Sequence, residues 1–364
     1  MNKIILIALL AILLPALVSA PTLALAASGL PNSPEFGYGV RLDLTGEQII
    51  PAIAATANSN LDWIAMDIDW ASLWLEPGVA PRFDGLAQAI TQAQQNQLSV
   101  LVSITHPPAW AMTPSGPDPL STALLASMLV ESFPNLMAIE LFPAANTVDG
   151  WGSPPDPLAY LHLLQFVSAH LRSTGKSVVL VAAGLTPIES DASTGDMDDL
   201  AFLEALYTAG AKPYLSIIGM RFPRMVGNPM LAPSPEEHFC IRHFEEVRQI
   251  MLKYDHRDGL IWLTSFSWPK SYSQPEEQTQ WLVEAFHLLK AQLYVGAAFF
   301  NQINPPQTGG AKVSYLLQPD LSVHPALNRL SYAIVPPTQN GFTAIQSFLT
   351  KRIVQAIDFK PNSP

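Results

Sequence analysis

Residues 138–160, AIELFPAANTVDGWGSPPDPLAY, carry one complete repeat of the fold. The stretch begins with the end of a short apolar run, which is typical of a β-strand covered on both faces. Asp156 and Pro157 then give a helix start, because aspartate is a favoured N-cap and proline is favoured at the first helical position. Asn146 and a Trp-Gly pair lie between the strand and this helix start. The repeat is therefore strand, loop and helix.

The same repeat recurs along the chain. The predicted strands are Tyr38–Asp43, Asp62–Ile68, Leu98–Thr105, Met137–Leu141, Ser177–Ala182, Tyr214–Met220, Leu260–Ser265 and Val295–Phe300. The predicted helices are Gly46–Ala57, Phe83–Asn96, Thr122–Phe133, Pro157–Thr174, Asp198–Ala209, Glu236–Tyr254 and Pro275–Leu289, one after Pro325 and one over Phe342–Ile357. Eight strands, each followed by a helix, predict an α/β fold of the (β/α)8 TIM barrel type. A doubly wound sheet of eight strands is the alternative.

The sequence predicts three parts. Residues 1–27 form a signal peptide, because Lys3 precedes the apolar run Ile4–Leu14 and the small-residue cleavage pattern Ala24–Ala26. The alternative is an N-terminal membrane anchor. Residues 28–336 form a single barrel domain, and residues 337–364 form a C-terminal helix and tail packed on it. We therefore expect a secreted or extracytoplasmic protein.

Composition narrows the classes of partner. The net charge is −11 and only 13% of residues are charged, so the basic surface that nucleic acid requires is missing. A polybasic membrane patch is missing too, and we expect no stable membrane insertion once the signal peptide is removed. Cys240 is the only cysteine, which excludes an intrachain disulfide. The acidic balance favours neutral or cationic ligands.

Aromatic and polar residues follow the predicted strands. Active sites of such barrels lie at the carboxyl ends of the strands, and aromatic rings there suit the flat apolar faces of sugars. The sequence therefore predicts a carbohydrate-binding cleft, with the alternative that the rings only plug the barrel mouth. The predicted ligand-binding residues are Trp70, His106, Trp110, Asn146, Trp151 and Trp268, with Trp74 nearby.

Six blocks in order resemble successive strand ends of clan A glycoside hydrolases, notably family 39 (β-xylosidase-like) and family 5 (cellulase-like). They are LDWIAMDIDWASLWLEPG (61–78), VLVSITHPPAWA (100–111), AIELFPAANTVDGWGSPPDPLAY (138–160), MDDLAFLEALYTAGAKPYLSIIGMRFP (197–223), IWLTSFSWP (261–269) and YLLQPDLSVHPAL (315–327). The resemblance covers essentially all of the chain after the signal peptide. It implies a TIM barrel of glycosidase type.

The resemblance also implies a retaining mechanism with two glutamates. A general acid/base ends the fourth strand and a nucleophile, about 5 Å away, ends the seventh. Here the matching positions hold Ala144 and Ser265. Pro143 replaces the asparagine before the acid/base, and Arg221 and Pro223 stand where the sixth strand of the family ends in a His-x-Tyr-like sequence. No catalytic residue is therefore predicted, and the substitutions in these blocks imply a non-catalytic barrel.

Glu140 is the nearest carboxylate in sequence to the acid/base position. It has the strand parity of Ala144 and should point into the lumen. Four residues of strand place it about 13 Å below the mouth, too deep to reach a sugar bound above. A buried charge needs a partner, and we expect Arg41 on the first strand to contact Glu140.

Other acids remain candidates for a relocated catalytic pair: Asp67, Asp69, Asp149 and Glu189. A serine nucleophile at Ser265 with His106 as its base would need an orienting acid and an oxyanion hole, and no motif announces either. No cofactor is predicted, and Gly309-Gly310 is more simply a turn than a phosphate loop. No metal site is predicted either. His162 and His170 are too far apart on one predicted helix to share an ion.

The residues thus favour an exported, non-catalytic glycoside hydrolase-like barrel that binds an oligo- or polysaccharide. An active retaining glycosidase with relocated carboxylates is the first alternative. A barrel that serves as a protein-interaction scaffold, with a vestigial cleft, is the second.

Overall fold

The computed structural model describes residues 27–175, 178–188, 193–222, 225–234, 239–269, 275–305 and 315–334. The predicted signal peptide (apart from Ala27), the predicted helix Phe342–Ile357 and the C-terminal tail lie outside the described residues. So do Glu189, Pro223 and Gly309-Gly310. In the part that is described, no helix is long and apolar enough to cross a membrane.

Eight parallel strands close into a barrel, which confirms the predicted (β/α)8 fold of a single domain. They are β1 Gly37–Leu42, β2 Trp63–Asp69, β3 Ser99–Thr105, β4 Ala138–Leu141, β5 Val179–Leu185, β6 Ile217–Phe222, β7 Leu260–Phe266 and β8 Val295–Phe300. Each strand pairs with its neighbours in sequence order, and β1 pairs with both β2 and β8. Because the sheet has no open edge, the doubly wound alternative is wrong.

Each barrel strand is followed by a helix. These are α1 Ile49–Asn58, α2 Asp84–Gln95, α3 Pro119–Ser132, α4 Pro157–Ser173, α5 Asp199–Thr208, α6 Phe244–Lys253, α7 Pro275–Lys290 and α8 Pro325–Ile334. Most bounds lie within a few residues of the predictions. Short helices at Trp70–Leu73 and Val148–Trp151 and a small hairpin of Met112–Thr113 with Gly116–Pro117 lie in the loops above the barrel.

Two helix starts differ from the predictions. α3 begins at Pro119 rather than Thr122, because the side chain of Asp118 accepts a hydrogen bond from the Ser121 amide and caps the first turn. α6 begins at Phe244 rather than Glu236. The described residues before it are a loop, in which the Phe239 carbonyl accepts from the amide of Val226, and a 3-10 turn.

The lower lumen is filled by aromatic rings. Trp63, Trp262 and Phe299 are fully buried there, with ring centroids 5.1–6.1 Å apart. Residues 27–36, here named the strap, lie across this amino-terminal end of the barrel. The Trp63 indole donates to the Ser28 carbonyl at 2.8 Å, and the Trp262 indole donates to the Gly29 carbonyl at 3.0 Å. This end is therefore closed by packing and by two neutral hydrogen bonds.

Candidate functional site

The loop after β4 keeps an unusual backbone at the position matched to the acid/base. Ala144 has φ 60°, in the left-handed region, and its amide donates to the Gly184 carbonyl at 2.8 Å. A residue with a Cβ adopts this conformation at a cost of about 1–2 kcal/mol. Ala144 offers only a methyl group there, so this bend supplies no proton donor.

The end of β7 carries the position matched to the nucleophile. Ser265 is buried, 7% exposed, and lies opposite Arg221 of β6 in the sheet register. Its neighbour Thr264 points to the lumen and donates its hydroxyl to Glu140 at 2.5 Å. The match of Ala144 and Ser265 to the family's glutamates stays a prediction; neither side chain carries a carboxylate.

Four charged side chains meet at the mouth of the barrel, and we name them the mouth network: Arg41, Asp67, Glu140 and Arg221. One nitrogen of Arg221, Nη2, donates to Asp67 Oδ1 at 2.8 Å and to Glu140 Oε2 at 2.7 Å. Arg41 donates to Asp67 and, at 2.7 Å, to the Thr264 carbonyl. The network therefore balances two positive charges with two negative ones.

The prediction that Arg41 is the ion partner of Glu140 was wrong. The ion pair of Glu140 in the structure is with Arg221, while Arg41 pairs with Asp67. Arg41 approaches Glu140 only through the Ser103 hydroxyl, which accepts from Arg41 at 3.4 Å and donates to Glu140 at 2.6 Å. Arg221 on β6 lies two strands from Glu140 on β4, whereas Arg41 on β1 lies three strands away. β6 stands opposite β2 in the closed barrel, so Arg221 spans the mouth from one wall to the other.

The charges of the network fix its protonation. Burial favours the neutral acid, but the positive charges of Arg221 and Arg41 outweigh it and hold the pKa of Asp67 well below its usual range. Burial would lower the pKa of Arg221, yet Asp67 and Glu140 raise it above its usual value. Burial lowers the pKa of Arg41 to about 10. Asp67 is therefore ionised and both arginines are charged at neutral pH.

The spacing of the two carboxylates resembles that of a glycosidase, but their surroundings do not. Because one nitrogen of Arg221 contacts both, the nearer oxygens of Asp67 and Glu140 are no farther apart than the ~5–5.5 Å of a retaining pair. A guanidinium lies between them, where the anomeric carbon would have to be. Glu140 is fully buried and Asp67 holds no proton to donate. In this arrangement Glu140 is shielded from solvent and Asp67 is ionised and paired with arginine.

A cavity of about 500 Å³ opens beside the mouth network, toward β1, β2, β3 and the end of β8. This volume lies within the range of small-molecule sites. Its polar wall includes Arg41, Asp43, Thr45, Asp67, Asp69, Ser72, Thr105, His106, Asn301 and Gln302, and its apolar wall Leu42, Leu44, Ile68, Leu73 and Leu86. The accessible space is thus displaced from Ala144 and Ser265, which do not line it.

Four of the predicted ligand-binding residues are packed inside the protein. Trp70, Asn146, Trp151 and Trp268 are at most 2% exposed. The indoles of Trp151 and Trp268 donate to the carbonyls of Ser115 and Gly227, and the Asn146 amide bridges to the Thr186 carbonyl and amide. In this structure these side chains hold the loops above the barrel together, which is the plugging role that the sequence left open.

His106 and Trp110 are the predicted residues that remain accessible. His106 is exposed on the cavity wall and Trp110 is half-buried on the loop that follows β3. The Trp110 ring meets the rings of Trp70 and Trp74 edge to face, at centroid distances of 5.9 and 5.1 Å. Its indole donates to the Leu75 carbonyl at 3.1 Å. Buried aromatic neighbours therefore fix the orientation of a ring that reaches the surface.

The remaining candidate groups are dispersed. Asp149 is exposed in the first turn of the short helix Val148–Trp151, and Asp69 caps the short helix Trp70–Leu73 through Ser72. His106 lines the cavity whereas Ser265 does not, so the cavity does not bring this serine and its suggested base together. Among the residues described, no group of three or more His, Cys, Asp or Glu side chains could hold a metal ion.

Sequence reasoning missed most of the cavity wall. Asp43 and Thr45 directly follow β1, and Asn301 and Gln302 directly follow β8. The signal was present, since polar residues at the carboxyl ends of barrel strands face the site.

Several solved structures with similar folds are glycosidases. A family 39 glycoside hydrolase from the gut symbiont Bacteroides cellulosilyticus WH2 matches with 16% identity and a TM-score of 0.61, over 81% of this chain and 62% of that one. A family 5, subfamily 18 glycoside hydrolase from Streptomyces cattleya in complex with Manβ1-4GlcNAc matches with 12% identity and a TM-score of 0.61, over 84% of this chain and 82% of that one. A hyperthermostable endo-1,4-β-D-mannanase from Thermotoga petrophila RKU-1 matches with 13% identity and a TM-score of 0.56, over 82% and 99%.

These similarities show the fold: a TIM barrel like those of clan A glycoside hydrolases of families 39 and 5. The chain spans less than two thirds of the length of the family 39 enzyme. No protein-family model matches the chain, and no curated protein matches it by sequence. Because one barrel hosts many chemistries, the function has to be argued from the site.

Proposed function

We propose that the protein is an exported, non-catalytic glycoside hydrolase-like barrel that binds carbohydrate. The observation that carries this proposal is the position of Arg221, whose guanidinium contacts Asp67 and Glu140 together. It occupies the space that a reacting sugar needs and keeps both acids in ion pairs. The positions matched to the catalytic glutamates carry a methyl group and a hydroxyl group.

The binding surface is the rim formed by Trp110 and His106 together with the adjacent cavity. Trp110 presents a ring whose orientation is held by Trp70 and Trp74, and such rings stack on sugar faces. His106 and the amides of Asn301 and Gln302 supply hydrogen-bonding groups beside it. By analogy with aromatic pairs, one stacked ring contributes about 0.5–1.5 kcal/mol beyond area burial. We expect micromolar to millimolar dissociation constants, ~−8 to −4 kcal/mol.

The alternative of an active glycosidase needs a proton donor and a nucleophile near the cavity. Outside the mouth network, Asp69 and Asp149 are the exposed described acids that the sequence offered for this role, and Glu189 lies outside the described residues. A protein-interaction scaffold needs no glycan at all. One experiment separates the three functions, because they differ in binding and in turnover.

Calorimetric titration with a panel of oligosaccharides should give binding, and reducing-sugar assays on the same panel should give no product. Trp110→Ala should weaken binding about tenfold, as expected for the loss of one stacking platform. Tyr332→Ala is the matched control, because Tyr332 is 69% exposed on α8, outside the cavity, and should bind like the wild type.

Two results would contradict the proposal. Product release that is abolished by Asp149→Asn or Glu189→Gln would establish the active enzyme. Absence of binding to every glycan in the panel, by a folded protein, would favour the scaffold.

A further inference from the structure

The carboxylates on the cavity wall are unequally neutralised. Asp67 has two cationic partners, Arg41 and Arg221, at the mouth network. Asp43 and Asp69 also line the cavity, and neither forms an ion pair with another described residue. Lys and Arg side chains other than Arg41 are absent from the described lining, and the Arg41 guanidinium is buried on Asp67 and the Thr264 carbonyl. Among the described lining residues, Asp43 and Asp69 therefore have no lysine or arginine partner.

Local hydrogen bonds hold these two carboxylates in place without neutralising them. Asp43 accepts from the amide and hydroxyl of Thr45 at 2.8 and 2.7 Å. Asp69 accepts from the amide and hydroxyl of Ser72 at 3.2 and 2.9 Å. These donors are all neutral, and a carboxylate has about four lone-pair sites. Both groups thus keep acceptor capacity for a ligand.

The rest of the wall suits a small polyol. Thr45, Thr105, Asn301 and Gln302 offer neutral donors and acceptors, and Leu73 and Leu86 offer apolar surface. A wall that combines such groups with fixed negative charge discriminates among sugars by their charge, because like charges repel and opposite charges attract most strongly where solvent is partly excluded.

We propose that the cavity selects an amino sugar, a sugar residue that carries a protonated primary amine, over neutral sugars, and that it rejects uronic acids. The ammonium group meets Asp43 and Asp69, while the ring hydroxyls meet the neutral polar wall. This inference rests on the proposed carbohydrate binding and names the class of sugar within it.

The test compares four disaccharides of similar size by calorimetry at mildly acidic pH: β-1,4-linked glucosamine, its N-acetylated form, cellobiose and a glucuronate-containing disaccharide. We expect the glucosamine disaccharide to bind about tenfold more tightly than cellobiose or the N-acetylated form, and the glucuronate to bind most weakly. Added salt should reduce the preference, because it screens charges near the surface.

Asp43→Asn combined with Asp69→Asn should abolish the preference for the glucosamine disaccharide over cellobiose. Asparagine also accepts the capping hydrogen bonds, and thermal unfolding checks that the fold is kept. Asp258→Asn is the matched control, because its side chain is 94% exposed and lies before β7, at the amino-terminal end of the barrel.

Equal affinity for the amine, the N-acetylated sugar and cellobiose would overturn the inference and leave carbohydrate binding intact. A preference that survives in the double variant would overturn it too. If none of the four disaccharides binds, this inference is overturned. If no glycan of the full panel binds either, the proposed function is overturned as well.

Discussion

The two ends of the barrel are closed in opposite ways. At the amino-terminal end, Trp63, Trp262 and Phe299 fill the lumen and two indoles donate to the strap. At the carboxyl end, the mouth network fills the lumen with four charged side chains. One closure depends on apolar packing, and the other on charge balance. The carboxyl end of this barrel is thus filled by paired charges, and the amino-terminal end by apolar rings.

The two closures should respond differently to perturbation. Removing one member of a buried ion network leaves its partner charged and unpaired, which costs more than the pair itself contributes. Removing part of a packed aromatic cluster leaves a void and an unpaired polar group. The effects of substitutions and of pH on the free energy of unfolding should therefore differ between the two ends.

The largest effect should follow Glu140→Ala. Glu140 is fully buried and accepts hydrogen bonds from Ser103, Thr264 and Arg221, so its loss leaves two arginines that share the single carboxylate of Asp67. We expect the free energy of unfolding to fall by about 3–5 kcal/mol, measured by denaturant titration. Glu204→Ala is the control, because the Glu204–Lys253 pair is at the surface. A loss no greater than that of this control would show that the network does not seal the mouth.

A smaller effect should follow Trp262→Phe at the opposite end. The substitution removes the indole donor to the Gly29 carbonyl and part of the ring that fills the lumen. We expect a loss of about 1–3 kcal/mol in the same titration, because a buried carbonyl is left without its partner. Trp281→Phe on α7 provides the comparison, since Trp281 is only half-buried. An unchanged midpoint for Trp262→Phe would mean that the strap contributes nothing to this closure.

The smallest effect should be a pH dependence confined to the mouth. The folded pKa of Asp67 is lowered by Arg221 and Arg41 against the effect of burial. Its contribution to stability is therefore present above the unfolded pKa of about 3.9 and is lost as the pH falls through the folded value. Asp67→Asn should flatten the decline of unfolding free energy on the acid side. Asp258→Asn should keep the wild-type slope, and an identical slope in all three proteins would contradict this assignment.

The barrel could be predicted from the sequence because buried parallel strands are continuous apolar runs. The amphipathic helices between these runs make the strands easy to locate. The start of α3 was missed although Asp118-Pro119 repeats the pattern of Asp156-Pro157, so that signal was available. The start of α6 was harder to predict, because no sequence pattern in the residues before Phe244 indicates a 3-10 turn.

The site was harder to predict because its contacts cross the lumen. Arg41 and Glu140 are linked through Ser103, but the choice between Arg41 and Arg221 as ion partner depends on the three-dimensional placement of strands that are distant in sequence. The exposure of tryptophans is similarly a tertiary property. Trp110 and Trp151 follow neighbouring strands, yet the Ser115 carbonyl of the hairpin buries one indole while the other ring reaches the surface.

Arg221 joins β6 to both β2 and β4 through ion pairs, so it ties opposite walls of the barrel opening together. A rim tied across its diameter does not close around a ligand as it binds. Recognition at this end should therefore involve little ordering of the protein, and the entropy lost on association should come mainly from the ligand. Such a preformed surface favours rapid exchange of weakly held chains over long residence of any one of them.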